Sequence, residues 1–240
     1  MSGIRDGKIL QVTLTGEPVQ PIRLYYELCD KELLVRRFRP LRCLDFDPRG
    51  KRWVWLYEHE ARTLEFRTPY ASLPTEKRPI VIGSFFLKGN KALLDLRSFD
   101  RAIKAIPFFD EHAGSDAARI THAAVVNRLF EAREQLPANL DIFFHSRDMV
   151  ERRPEESLAD MRSAVERPRT EGEGDLRSIV EERAREALPE IEKFPVHFYE
   201  DGLSSLEAAL HMREVIAFEH WRGNMDYTFY DVLKTMIPGL

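Results

Sequence analysis

The sequence predicts an α+β protein: an antiparallel, β-rich N-terminal part, a compact mixed α/β sandwich in the middle, a charged linker and a helical C-terminal part. Three observations carry that expectation. The first half is a run of short β-prone segments separated by Gly, Pro and Asp turns. The middle alternates strand and helix patterns in the order β-β-α-β-α-β. After His145 the composition changes abruptly, with no aromatic residue from 145 to 193.

In order along the chain, Lys8–Thr15 (KILQVTLT) reads as a strand, followed by a turn at Gly16-Glu17-Pro18 and a second strand at Ile22–Leu28. A short helix near Lys31–Phe38 precedes the most informative stretch, Arg36 to Tyr57 (RRFRPLRCLDFDPRGKRWVWLY). Asp47-Pro48-Arg49-Gly50 has the residue types of a type I turn, and a three-residue connection with a glycine bulge is its natural reading. That register sets Asp47 opposite Lys51, Asp45 opposite Trp53, Cys43 opposite Trp55 and Leu41 opposite Tyr57. Leu44 and Phe46 then share the other face with Val54 and Leu56. Both faces carry apolar mass, so the hairpin is an interior pair, or one face is core and the Trp53–Trp55–Tyr57 face is a docking surface.

A further strand is expected at Thr63–Arg67. Ile80–Leu87 and Ala92–Leu96 flank a Lys88-Gly89-Asn90 turn. Ser98 caps a helix bearing Phe99, Ala102, Ile103 and Ile106, which Pro107 should end or kink. Ala118–Ile120 reads as a short strand, and Thr121 as the cap of a helix with His122, Val126, Leu129, Phe130 and Arg133 on one stripe. Leu140–His145 (LDIFFH) reads as a strand. The polar stretch around 167–174 (RPRTEGEG) has no apolar residue, and such a segment buries too little to offset its ordering entropy. From Asp175 a helix is expected with Leu176, Ile179, Val180, Ala184, Leu188 and Ile191 at helical spacing. Ser204 and Glu207 have capping-box spacing at the head of a second helix running to about Trp221, and a short docking helix follows. The expected organisation is therefore 1–77 as a β-rich hairpin or small-barrel region, 78–146 as a sandwich continuous with it, 147–174 as a mobile linker and 175–240 as a helical element.

At 240 residues, 43% hydrophobic, the chain can bury a full core. Its N-terminus (MSGIRDGKILQ) has no apolar signal core, and no apolar run is long enough to span a bilayer, which points to a cytoplasmic protein that does not enter membranes. Cys29 and Cys43 sit apart from each other and from histidine, so neither a zinc site nor a disulfide framework is expected. No metal and no cofactor are expected. Residues 1–100 carry 18 Lys+Arg against 13 Asp+Glu, a net +5, and residues 101–240 carry 18 against 27, a net −9. The chain is basic in front and acidic behind.

Four chemistries can be weighed. Asp45, Asp47, Glu58 and Glu60 resemble the carboxylate supply of a magnesium-dependent nuclease, but the hairpin register spreads them apart. His145 with Asp148 could form a general base and its orienting carboxylate at the end of a strand. Glu207, His211 and Glu214 share one helix face, although a metal centre would need a second such face. Arg213-EVIAFE-His220 has a spacing that resembles the motif of helical HEPN ribonucleases, and Arg52-WVWLYE-His59 repeats it on an expected strand, so the pattern alone assigns nothing. What remains is a basic cluster interleaved with aromatics: Arg36, Arg37, Arg39, Arg42, Arg49, Lys51, Arg52 and Trp53. Such a surface suits phosphate neutralisation with base stacking, or docking of an acidic protein segment. The reading that follows is a non-enzymatic binding or accessory protein that engages a protein partner or nucleic acid. The alternative is a phosphodiester-cleaving enzyme.

Overall fold

The computed structural model describes residues 7–153, 181–197 and 202–236; the expected linker lies mostly outside them. The fold is α+β, built on one eight-stranded sheet. Its strands are β1 (Ile22–Leu28), β2 (Leu44–Asp47), β3 (Arg52–Leu56), β4 (Val81–Lys88), β5 (Lys91–Leu96), β6 (Ala118–Val126), β7 (Val150–Glu151) and β8 (Ile191–Pro195). They lie in the order β2-β3-β4-β5-β1-β6-β8-β7, with every neighbouring pair antiparallel except β7 and β8. The α-helices whose bounds are described are α1 (Lys31–Phe38), α2 (Phe99–Ala113), the single turn α3 (Asp141–Phe144), α4 (Leu203–Trp221) and α5 (Phe229–Met236). Among the described residues no helix is long and apolar enough to cross a membrane.

The main core lies on one face of the sheet. Ile22, Leu24 and Tyr26 alternate along β1 with Arg23 and Tyr25, and this set meets Leu94 and Leu96, Phe85, Trp53 and Trp55 beneath α1 and α2. Asp30 caps α1 by accepting from Leu33 N at 2.8 Å, and Ser98 caps α2 by accepting from Arg101 N at 3.2 Å. α4 packs on α2 and sends Leu206 and Leu210 into the same core. On the opposite face a smaller cluster of Val19, Ala124, Val126, Phe130, Leu140, Phe144 and Ile191 sits under the segment that follows β6. Arg23, fully buried, ties that segment down, with Nε 2.6 Å from Asp95 and Nη2 2.7 Å from Asp141.

Several expected elements differ. The helix expected after Thr121 is instead the rest of β6, which is sandwiched between β1 and β8 and covered on both faces; all of Ala123–Val126 is buried. A strand of this kind reads as a continuous apolar run without alternation. The Thr121 hydroxyl donates to Tyr25 O at 3.2 Å rather than capping a helix. Within LDIFFH, Asp141–Phe144 is a single helical turn rather than a strand, with Leu140 and Phe144, four apart, buried while Ile142 is exposed. Thr63–Arg67 is not a strand: a 3-10 turn spans His59–Thr63, and Tyr57 Oη donates to Leu64 O at 2.7 Å. Lys8–Thr15 forms no named strand and makes isolated bridges, among them Leu10 to Glu131 and Val12 to Pro18. Pro107 does not end α2, which continues to Ala113 and stops at Gly114 with φ +76°. Ile191, expected in a helix, opens β8.

Candidate docking groove

The hairpin turn decides what the basic, aromatic region can present. Asp47 Oδ1 accepts from the backbone N–H groups of Arg49 and Gly50, both at 3.0 Å, and Arg52 Nε donates to Oδ2 at 3.2 Å. The Gly50 amide, helped by Arg52 and Arg49, holds the Asp47 carboxyl below the usual carboxylate range. A side chain on Gly50 would place its Cβ 2.6 Å from Asp47 Oδ2, so glycine is needed for the close approach of that carboxylate. The left-handed residue is Lys51, at φ +48°.

The connection is thus one residue longer than the expected three, and the register moves with it. Asp47 pairs with Arg52, Phe46 with Trp53 and Leu44 with Trp55. A one-residue slip exchanges faces, so Leu44 and Phe46 join the two tryptophans and the expected two-faced distribution is corrected. That shared face turns toward the helices. Trp55 is fully buried, its ring centroid 4.8 Å from that of Phe109 and 5.2 Å from that of Phe108. Trp53 is 9% exposed, stacked edge-on against Phe38 at 5.7 Å and tilted against Phe46 at 5.3 Å. Phe46, at the open end of this row, is 49% exposed.

α1 covers only part of this face. Leu34 and Phe38 point into the core, and Lys31, Val35 and Arg39, spaced by four, form a stripe along the helix. The stripe makes one wall of a groove of about 530 Å³, completed by Phe46, Lys51, Trp53 and Leu87. The groove has an apolar floor and a rim of Lys31, Arg39 and Lys51. None of these three cations forms an ion pair with a described residue.

The expected cluster is therefore divided by the fold. Arg39, Lys51 and Trp53 come together in the groove. Arg37 is committed elsewhere: it donates to Ala113 O at the end of α2 and grips Asp116 at 2.5 and 2.9 Å, in a space kept open by Gly114. Arg52 is held by Asp47. Arg36, Arg42 and Arg49 are exposed and do not line the groove. Sequence reasoning missed Lys31, Val35, Phe46 and Leu87, although the Lys31–Val35–Arg39 spacing was a readable signal once α1 was recognised.

The other candidate chemistries do not assemble. His145 is exposed, with Nδ1 3.7 Å from Asp141 Oδ1, while Asp148 Oδ2 accepts from the Ser146 hydroxyl at 3.2 Å. Glu60 accepts from Cys43 N at 2.9 Å, and Glu58 accepts from Tyr70 Oη at 3.3 Å, so these carboxylates serve separate local structures. Glu214 is taken by Arg67 at 3.1 Å. Arg213 is buried and donates to Glu192 and to Ala209 O, and His220 Nε2 meets Tyr227 O at 2.9 Å, so both members of the arginine–histidine pair are engaged in packing. Among the described residues no group of three His, Cys, Asp or Glu could hold a metal ion.

The chain matches no family model, no curated protein and no solved structure.

Proposed function

We propose that this chain is a non-enzymatic binding protein that docks a protein partner in the groove between α1 and the β2–β3 hairpin. One observation carries the reading: three cations with no ion partner among the described residues surround an apolar floor at whose open end Phe46 is half-exposed. Aromatic anchors set in an apolar pocket, with charge at the rim, are the arrangement that concentrates binding energy at protein interfaces. A nucleic-acid strand would want several exposed ring faces on which to stack successive bases. Trp53 and Trp55 are turned inward, which leaves Phe46 alone in that role, and Asp45 and Asp47 stand close by on the same strand. Among the described residues His145 and Asp148 serve different partners, which lends a phosphodiester-cleaving enzyme no support. We place the protein in the cytoplasm, where the free thiols of Cys29 and Cys43 suit a reducing compartment.

The test is site-specific photocrosslinking in cells, with p-benzoylphenylalanine at position 46 and, as an exposed control far from the groove, at Ile142. The expected result is a discrete protein adduct at 46 that is absent at 142 and lost when Arg39→Glu and Lys51→Glu are added. Equal adducts at the two positions, or an adduct at 46 made of nucleic acid, would overturn the reading.

A further inference from the structure

From the shape and charge of the same groove, and resting on the docking reading above, we infer that its occupant is a short amphipathic helix with acidic residues toward both ends. The wall of the groove is a helix face. Lys31, Val35 and Arg39 place a cation, an apolar side chain and a cation in succession along the whole of α1, a length of about 12 Å at 1.5 Å per residue. The floor comes from side chains of the sheet's helix-covered face: Phe46 on β2, Trp53 on β3 and Leu87 on β4, with Lys51 at the hairpin turn.

This geometry discriminates between backbone conformations. An extended peptide lying on a sheet face beside a helix finds no ladder there, and its N–H and C=O groups would be desolvated without partners. A helix satisfies its own backbone and needs only an apolar stripe, which is how α1 and α2 already cover the neighbouring parts of the same face. The cations at each end of the stripe, together with Lys51 across the groove, call for carboxylates flanking the apolar residues of the incoming helix. The occupant is thus two to three turns long. Leucine or phenylalanine at spacings of three and four faces Val35, Phe46 and Leu87, and Asp or Glu meets Lys31 and Arg39.

The experiment pans a displayed library of random 12-residue peptides against the full chain, then measures the enriched peptides by fluorescence anisotropy and circular dichroism. The expected peptides carry Asp or Glu near both ends and large apolar residues at helical spacing, and gain helicity on binding. They should lose affinity about tenfold with Arg39→Glu and again with Lys51→Glu, exposed positions whose melting temperatures serve as the folding control. They should also lose binding when a central residue is replaced by proline. Enrichment of peptides that bind as extended chains or tolerate the proline, yet still need Arg39 and Lys51, would overturn the helix and leave groove docking intact. No enrichment, binding indifferent to both charge reversals, or displacement of the peptides by oligo-dT alone would overturn the groove as a protein site as well.

Discussion

Arg213 Nε donates to Glu192 Oε1 at 2.7 Å, and the carboxylate it meets is wholly shut off from solvent. Arg152 Nε reaches the other oxygen at 3.2 Å and Asn127 Nδ2 adds a bond at 2.8 Å, so this one side chain joins β8, the ends of β6 and β7, and helix α4. The guanidinium also lies over the rings of Phe194 at 4.4 Å and Phe229 at 5.2 Å, which brings α5 into the same junction. Removing Arg213 leaves the buried Glu192 carboxylate with only Arg152 and Asn127 to compensate it. Since breaking a buried pair outright costs about 3–5 kcal/mol, Arg213→Ala should cost about 3 kcal/mol in urea unfolding, and Arg213→Lys should recover part of the loss. A cost below about 1 kcal/mol would mean that water already reaches Glu192.

The same junction gives a pH dependence. Burial pushes the Glu192 carboxyl up, but the Coulomb attraction of Arg213 and the hydrogen bonds from Arg213, Asn127 and Arg152 outweigh it and hold the group below its ordinary value. With the folded value depressed, its stabilisation is fully present above the unfolded value of about 4.3 and is lost as pH falls through the folded value. Glu192→Gln should be less stable than the parent at pH 7, and the gap should narrow as the pH is lowered below about 4. Chemical denaturation at a series of pH values reads this directly. A constant gap across the acid range would remove Glu192 from the acid sensitivity of the fold.

Trp55 and Trp53 share one face of β3, and the two should respond alike in stability. Trp55→Ala removes a fully buried indole packed on Phe108 and Phe109 and should cost about 3–5 kcal/mol. The sequence places Trp53 nearer the turn and suggests a small cost there. Its contacts with Phe38 and Phe46 instead imply a loss of about 3 kcal/mol, which makes Trp53→Ala a folding variant rather than a clean probe of binding. Phe46→Ala, at a half-exposed position, should cost about 1 kcal/mol or less and serves as the binding probe. Thermal melts of the three variants decide the order.

What was legible and what was not follows from how each element is held. β1, α1, the β4–β5 hairpin and the cap of α2 are legible because local features carry them: the β-prone run Ile22–Leu28, the helical run Lys31–Phe38, the Ser98 cap and the Gly89-Asn90 turn. The second half of β6 is not legible because a strand covered on both faces loses its period of two, and only the tertiary position between β1 and β8 determines it. The hairpin is legible in the sequence, yet its register is not, because residue types suggest a three-residue connection while the Asp47 carboxylate stabilises a four-residue one. That single residue decided which aromatics were core. The candidate site inherited the error. Arginine density marks Arg36 and Arg37 as binding candidates, but only long-range partners show that Arg37 is bound to the end of α2.

Lys51 is where stability and binding should part. It is the residue at the turn with a left-handed backbone, φ +48°, and it is also a rim cation of the groove with no ion partner among the described residues. A non-glycine residue in that conformation costs about 1–2 kcal/mol, and glycine recovers this less the entropy it loses on folding, so Lys51→Gly should stabilise the protein by roughly 0.5–1 kcal/mol. The same substitution deletes a charge that an acidic partner would meet, and should weaken partner binding while the melting temperature rises. Lys51→Arg keeps the charge and the strain, and should leave both nearly as they were. Paired melting and binding measurements on the two variants test the assignment. If Lys51→Gly raises the melting temperature and leaves binding unchanged, Lys51 belongs to the turn alone and the groove is bounded by α1.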